Sequence, residues 1–196
     1  MQYKFFALIS RMRYIARWGL MRNTFQENIQ EHSHMVAVLA HALGVIRRDI
    51  FHQPCDVNAL ATAALYHDAS EILTGDLPTP IKYHNAEIMS AYHAVEDLAV
   101  QKLLGMLPPE LRETYADVLA EDKDGDIYPL VKAADKLSAY IKCIEERKAG
   151  NNEFLSAEAQ TRAALEASPL PEVQYFLEHF IPAFERDLDE LGAIGQ

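Results

Sequence analysis

Apolar residues recur every three or four positions along most of the chain, which is the spacing of one face of an α-helix. A clear stripe is Val36, Leu39, Leu43 and Ile46, and convincing strand alternation is absent. The pattern therefore predicts an all-α protein. With Gly and Pro as breakers, the helices are expected at about 3–16, from 28 towards the break at Pro54, 57–74, 84–106, 110–120, 127–149, 153–167 and 171–191.

Local signals mark several of the predicted helix ends. Asn28 and Glu31 are spaced as in a capping box, and Gly75 is expected to end the helix at 57–74. Pro182 is expected to kink the last helix, and residues 121–126 form a polar loop. There is no internal repeat or long linker. We predict one domain over 1–196, with a core at about 28–150 and the helices at 3–16 and 153–191 packed on it.

Charge and composition narrow the class of protein. The net charge of −11 makes a nucleic acid an unexpected partner, since its phosphates would be repelled. With only two cysteines and no apolar run of about 18 residues, we expect a cytoplasmic protein that does not enter a membrane. Residues 1–26 contain five Lys and Arg but no Asp or Glu. Apolar positions at helical spacing favour a structural first helix there over a transit peptide.

An adjacent His67-Asp68 pair lies inside the apolar run from Leu60 to Leu73, with Glu71 one turn further on. Charged side chains rarely occupy such a run unless they are paired or bind a metal. On a helix, the spacings of three and four place His67, Asp68 and Glu71 on one side. The segment is therefore the leading candidate for a functional site.

Two further candidates lie on other predicted helices. His32 is on the apolar stripe of the preceding helix, and Asp135 lies beside the stripe of a later one. Two imidazoles and two carboxylates, without a thiolate, suit a borderline divalent metal such as Mn, Fe, Co, Ni or Zn. His32 alone would be more typical of a structural residue. The other histidines are expected at the surface or hydrogen-bonded, namely His34, His41, His52, His84, His93 and His179.

The order of these residues resembles a known superfamily. The strings Glu31-His32-Ser33, Tyr66-His67-Asp68-Ala69-Ser70-Glu71 and Ala134-Asp135-Lys136-Leu137 resemble the H…HD…D signature of the HD-domain metal phosphohydrolases. Four further segments resemble the bacterial 5′-deoxynucleotidases of the YfbR type, over about residues 5 to 190. They are Arg17-Trp18, residues 27–33, Leu73-Thr74-Gly75-Asp76-Leu77-Pro78-Thr79-Pro80 and Ala149-Gly150-Asn151-Asn152-Glu153-Phe154.

The resemblance implies an all-α HD domain, usually a homodimer, that converts 2′-deoxynucleoside 5′-monophosphates to deoxynucleoside and phosphate. One divalent metal would be held by His32, His67, Asp68 and Asp135, of which His32, Asp68 and Asp135 would also contact substrate. Glu71 would be the catalytic carboxylate. Arg17 would orient the phosphate, as a guanidinium fork can. Trp18 would exclude a 2′-hydroxyl, and the sugar would be held by Asp76 and the backbone of Leu77, Pro78 and Thr79.

Other classes of function are also compatible with parts of the sequence. The same metal site could serve a deoxynucleoside triphosphate, a cyclic nucleotide or a guanosine polyphosphate. The short chain and the absence of a Lys- and Arg-rich triphosphate cradle argue against the triphosphate and the guanosine polyphosphate. A non-catalytic metal- or nucleotide-sensing helical module has no need for a general acid or base such as Glu71. A serine nucleophile is weaker still, because nothing resembles a nucleophile elbow.

Overall fold

The structure is a computed structural model that describes residues 2–82, 84–120 and 125–192; for residues 79 and 80 it describes the backbone alone. Its regular structure is helical. No strand occurs in that part of the chain, so the predicted all-α class is confirmed. The helices are α1 Phe5–Ile9, α2 Ile29–Val45, α3 Val57–Tyr66, α4 Glu71–Thr74, α5 Thr79–Lys82, α6 Ala86–Leu104, α7 Pro109–Leu119, α8 Tyr128–Lys148, α9 Leu155–Glu166, α10 Pro171–His179 and α11 Ile181–Phe184.

The main core is built around α2, which packs against both α3 and α8. Leu43 of α2, Leu60 of α3 and Leu137 and Ile144 of α8 are each 0% exposed. Full burial of such a side chain stabilises the fold by about 1.5–3 kcal/mol. The packing of α2 against α3 and α8 therefore fixes the relative positions of His32 on α2, Asp135 on α8 and the turn after α3 that carries His67 and Asp68.

A second, smaller core joins the N-terminal segment to α6 and α7. It contains Phe5, Ala69, Leu103, Leu107 and Leu119, all buried. The helix predicted at 3–16 is real but shorter, because α1 tightens into a 3₁₀-helix at Ser10–Tyr14 and Ile15 is extended. Beyond it, Ala16 forms an isolated antiparallel bridge with Asn28. This bridge places the following residue, Arg17, beside the start of α2.

The prediction of one helix over 57–74 is wrong, since α3 ends at Tyr66 and α4 begins at Glu71. Between them the backbone bonds tighten to three-residue spacing, with Ala69 N donating to the Tyr66 carbonyl at 2.9 Å and Glu71 N to that of Asp68 at 3.0 Å. A tighter turn rotates successive side chains by about 120° instead of about 100°. The His67-Asp68 pair therefore lies in a turn and not on a helical face.

The prediction of one helix over 171–191 is also wrong. α10 ends at His179, and α11 covers only Ile181–Phe184. The break lies just before Pro182, whose ring leaves no N–H for a helical hydrogen bond. The short α5 was not predicted; its first turn forms because the Pro78 carbonyl accepts from Ile81 N at 2.8 Å. Most of the polar loop predicted at 121–126 lies outside the described residues.

Other local signals are confirmed. Asn28 caps α2 by accepting a hydrogen bond from Glu31 N at 3.1 Å. Gly75, with φ of +75°, follows α4 in a backbone conformation that suits glycine. Among the described residues, no helix combines the length and apolar character needed to cross a membrane.

Candidate metal centre and active site

The predicted ligands His32, His67, Asp68 and Asp135 converge, although they come from α2, the α3–α4 turn and α8. His32 Nε2 lies 3.1 Å from Asp135 Oδ1 and 3.6 Å from Asp68 Oδ2, and His67 Nε2 lies 3.2 Å from the same Asp68 oxygen. Donor atoms of His32, His67 and Asp135 all lie within 4.8 Å of one another. Such spacing lets one cation contact several of them.

The outer ring nitrogens of both histidines are held by the protein. His67 Nδ1 lies 2.7 Å from the Ala64 carbonyl, which can only accept, so this nitrogen carries the proton. His32 Nδ1 lies 3.2 Å from Ser138 Oγ. The two Nε2 atoms are buried and have no hydrogen-bond partner. A metal-binding imidazole typically offers one ring nitrogen to the metal and forms a hydrogen bond to the protein with the other. Nε2 and Nδ1 of both histidines are arranged in this way, so the site fits a divalent metal.

The two aspartates are ionised at neutral pH. Burial alone would raise the pKa of Asp68, but His67, His32 and Arg17 hold it well below its usual range. Burial likewise opposes ionisation of Asp135, and the adjacent His32 ring lowers its pKa. Since carboxylates bind metals in their deprotonated form, both are ready to act as ligands.

The pKa of Glu71 is shifted in the opposite direction to those of the two aspartates. Glu71 begins α4, is 6% exposed and buries Oε2 without a hydrogen-bond partner. Burial, followed by the charges of Asp68 and Asp76, raises its pKa to about 9. Glu71 is therefore a neutral acid at pH 7, a few residues from an anionic Asp68. Carboxyl groups whose pKa values are driven apart in one site are candidates for separate acid and electrostatic roles.

Arg17 and Trp18 reach the site from the segment that precedes α2. Arg17 Nη1 donates to Asp68 Oδ2 at 3.3 Å, and Arg17 Nε donates to Glu27 Oε2 at 3.2 Å. The indole N–H of Trp18 donates to the same Glu27 oxygen at 2.8 Å. Trp18 has φ of +58°, an unusual conformation for a bulky residue that the surrounding contacts must maintain. The backbone thus turns sharply where the two side chains enter the site.

The segment after Gly75 brings Asp76 to the same place. Asp76 is half-buried, which raises its pKa, while Arg17 and a hydrogen bond with the Trp18 backbone act in the other direction. Leu77 and Pro78 are partly buried, and Thr79 is the first residue of α5. The structure therefore joins Asp76 to Trp18, whereas sugar contacts of Leu77, Pro78 and Thr79 stay predictions.

A family model described as 5′-deoxynucleotidase YfbR-like matches residues 4–184. The chain belongs to this family. Relatives named 5′-deoxynucleotidase YfbR, from Shigella boydii and Escherichia coli, are each 50% identical to it over 192 residues, covering 97% of this chain and 96% of theirs. Membership in the YfbR-like family confirms the resemblance seen in the sequence motifs and the class of phosphoric monoester hydrolase.

Solved structures place this YfbR-like chain among HD-domain proteins. An HD-domain phosphohydrolase from Listeria innocua superposes with a TM-score of 0.82 at 25% identity, covering 94% of this chain and 90% of the other. The HD phosphohydrolase DatZ of cyanophage S-2L, solved with dA and one catalytic Zn²⁺, has a TM-score of 0.60 at 26% identity and covers 97% of this chain and 99% of its own. The expected HD-domain fold is thereby confirmed.

Two residues of this YfbR-like site were not identified from the sequence. Ser138, which supports His32, lies three residues after Asp135 and therefore on the same side of α8. The three-residue spacing from Asp135 could have identified Ser138 as a neighbour of the site. Glu27 contacts Arg17 and Trp18 only because the chain between them folds back. No spacing in the sequence predicts this contact.

Proposed function

We propose that this YfbR-like chain hydrolyses 2′-deoxyribonucleoside 5′-monophosphates to deoxynucleoside and phosphate, using one divalent transition metal such as Co, Mn or Zn. The observation that carries the proposal is the pair of buried, bare Nε2 atoms of His32 and His67 beside the ionised Asp68 and Asp135. The names of the relatives, and the dA and Zn²⁺ in the DatZ structure, support the same substrate class.

Arg17 is the phosphate-orienting group in this proposal. Its Nη1 lies 3.3 Å from Asp68 Oδ2, and its guanidinium has a planar fork that can meet two phosphate oxygens. The charges of Asp68, Asp135 and Glu27 raise its pKa against the effect of burial, so it stays charged. A divalent cation, when bound, supplies Lewis-acid stabilisation of the phosphate oxygens.

Glu71 is the proton donor in this proposal. In the metal-free protein the pKa of this carboxyl group is raised to about 9, so it holds a proton at neutral pH that it can deliver to the leaving 5′-oxygen. Its unpartnered Oε2 is available for that contact. Because Glu71 is buried, little water can reach its carboxyl group to exchange the proton before substrate binds.

Selectivity for the deoxy sugar is proposed to come from Trp18 and Asp76. The Trp18 indole is held by Glu27 at 2.8 Å, and its ring centroid lies 5.3 Å from that of Phe154. A rigid ring of this size cannot yield to an added 2′-hydroxyl without losing these contacts. The nearby Asp76 carboxylate can accept a hydrogen bond from a sugar hydroxyl.

A homodimer and a cytoplasmic location are proposed on the resemblance and the composition, and the absence of nucleic-acid binding on the charge of −11. Light scattering of the purified chain would measure the mass directly, and a mass near 22.1 kDa would contradict the dimer. An electrophoretic shift assay with duplex and single-stranded DNA would test the absence of nucleic-acid binding.

The test is phosphate release from paired deoxy- and ribonucleoside 5′-monophosphates. The protein is first stripped with a chelator and then supplied with Mn, Co, Zn or Mg. We expect metal-dependent release from the deoxy forms and little from the ribo forms. The His67→Ala variant is the control for the site. If no metal restores release, or if a triphosphate or cyclic nucleotide is the only substrate cleaved, the proposal is wrong.

A further inference from the structure

Residues 17–27 form a loop, called here the substrate loop, that is closed at its base. Arg17 N donates to the Glu27 carbonyl at 3.0 Å, next to the bridge between Ala16 and Asn28. Arg17 and Glu27 therefore face each other at the neck of the loop. Arg17, at one end of the loop, donates a hydrogen bond to Asp68. Glu27, at the other end, lies 3.9 Å from the candidate metal ligand His32, measured from Oε1 to Nδ1.

A single oxygen of Glu27 binds two of the residues proposed to contact substrate. Glu27 Oε2 accepts from Arg17 Nε at 3.2 Å and from Trp18 Nε1 at 2.8 Å. We propose that Glu27 is a positioning residue that fixes the phosphate-orienting Arg17 and the sugar-facing Trp18 together, so that phosphate binding and sugar selectivity depend on one carboxylate. This inference rests on the roles proposed above for Arg17 and Trp18.

The orientation of Arg17 depends on having two carboxylate partners. Its Nε is bound by Glu27 on one side and its Nη1 by Asp68 on the other. Two bonds from different atoms of a planar group fix the plane of that group. Without Glu27, Asp68, a proposed metal ligand, would be the side chain that still accepts a hydrogen bond from Arg17 among the described residues, and the guanidinium could turn towards it.

Trp18 depends on Glu27 for a different reason. Its backbone is in the left-handed region, which a bulky residue adopts only when its surroundings impose it. The indole N–H is the one hydrogen-bond donor of the side chain, and Glu27 is its partner. Loss of that partner would free the ring to move, with its packing against Phe154 as the remaining restraint.

A buried ion pair holds the far side of the substrate loop. Lys142 and Glu146, side chains 2% and 0% exposed, lie on α8. Lys142 Nζ donates to the Phe25 carbonyl at 2.8 Å, and Glu146 Oε2 accepts from Thr24 N at 2.9 Å and from Asn151 Nδ2 at 2.8 Å. The loop is therefore ordered by the protein itself, and Glu27 is presented to Arg17 and Trp18 without help from substrate.

The experiment compares Glu27→Ala and Glu27→Gln with a matched control, Glu158→Ala. Glu158 is also largely buried, at 15% side-chain exposure against 12% for Glu27, and it accepts from Arg147 Nε at 2.9 Å between α8 and α9. The readouts are KM for a deoxynucleoside monophosphate and the ratio of deoxy to ribo kcat/KM. Neither depends on the fraction of protein that is folded, because the concentration of active enzyme cancels from KM and from the ratio.

We expect Glu27→Ala to raise KM and to lower the deoxy-to-ribo ratio, each on the order of tenfold or more, since small displacements of positioning groups have such effects. Glu27→Gln should keep the ratio within about threefold, because its amide oxygen can accept both N–H groups. Glu158→Ala should leave both values at the wild-type level. An unchanged ratio in Glu27→Ala, or an equal loss in Glu27→Gln, would overturn the proposal.

A second measurement does not require activity. The chain has one tryptophan, so the intrinsic fluorescence of Trp18 reports its surroundings directly. Acrylamide should quench it more strongly in Glu27→Ala than in the wild type or Glu158→Ala. If Glu27→Ala does not fold, Glu27→Asp, which withdraws the oxygen by one methylene, should show the same changes; wild-type quenching and ratio there would overturn the inference. Wild-type protein with no deoxynucleotidase activity would instead refute the proposed function.

Discussion

The buried acid Glu71 makes a quantitative prediction about stability as well as catalysis. Replacing it with glutamine should abolish turnover, because the amide has no proton to give at neutral pH. The same change should stabilise the metal-free protein at neutral and alkaline pH. The side chain keeps its shape, and the cost of keeping a carboxyl group protonated inside the site is removed.

The magnitude follows from the pKa of Glu71, which burial and the charges of Asp68 and Asp76 raise from 4.5 to about 9. Between these two values the native state holds a proton that the unfolded state has released. Stability therefore falls as pH rises, by about 1.4 kcal/mol per pH unit from this group. From pH 6 to pH 8 the wild type should lose about 3 kcal/mol relative to the glutamine variant.

The assay is urea denaturation of both proteins in chelator at several pH values from 5.5 to 8.5. The difference in the free energy of unfolding cancels the titration of all other groups, and the exposed Glu31→Gln variant controls for the substitution itself. Parallel curves for wild type and Glu71→Gln would refute the reasoning. Adding a divalent metal should reduce the slope, since a nearby cation favours the ionised carboxylate.

Three further predictions concern the surroundings of the site. Ser138→Ala should weaken metal binding on the order of tenfold, measured by competition with a fluorescent chelator, because it removes the outer partner of His32; unchanged affinity would remove this role. Trp18→Ala should raise activity on ribonucleotides relative to deoxynucleotides, and a constant ratio in paired assays would contradict its proposed role. Lys142→Met should destabilise the protein by about 3–5 kcal/mol in urea, since it leaves the buried Glu146 charge without its cation; a loss under 1 kcal/mol would show that the pair is not needed.

Much of the fold follows from the sequence, because helices are local. The apolar spacing in α2 and α8, the Asn28 cap and Gly75 after α4 each act within a few residues, so their effects can be predicted without tertiary contacts. The family resemblance adds the metal ligands as a set. Helix bounds were less predictable where the backbone changes its hydrogen-bond spacing, as at Ser10–Tyr14 and in the turn after Tyr66.

The sequence by itself therefore determined the all-α class, the positions of the long helices and the candidate metal ligands. Only the tertiary structure decided which of their atoms meet and in which ionisation state. Glu71 becomes a neutral acid because burial and the neighbouring Asp68 act on it, and those arise when α2, the α3–α4 turn and α8 pack together. Glu27 becomes a partner of Trp18 by the same route. Contacts and pKa values depend on distance in space, which helical periodicity does not encode.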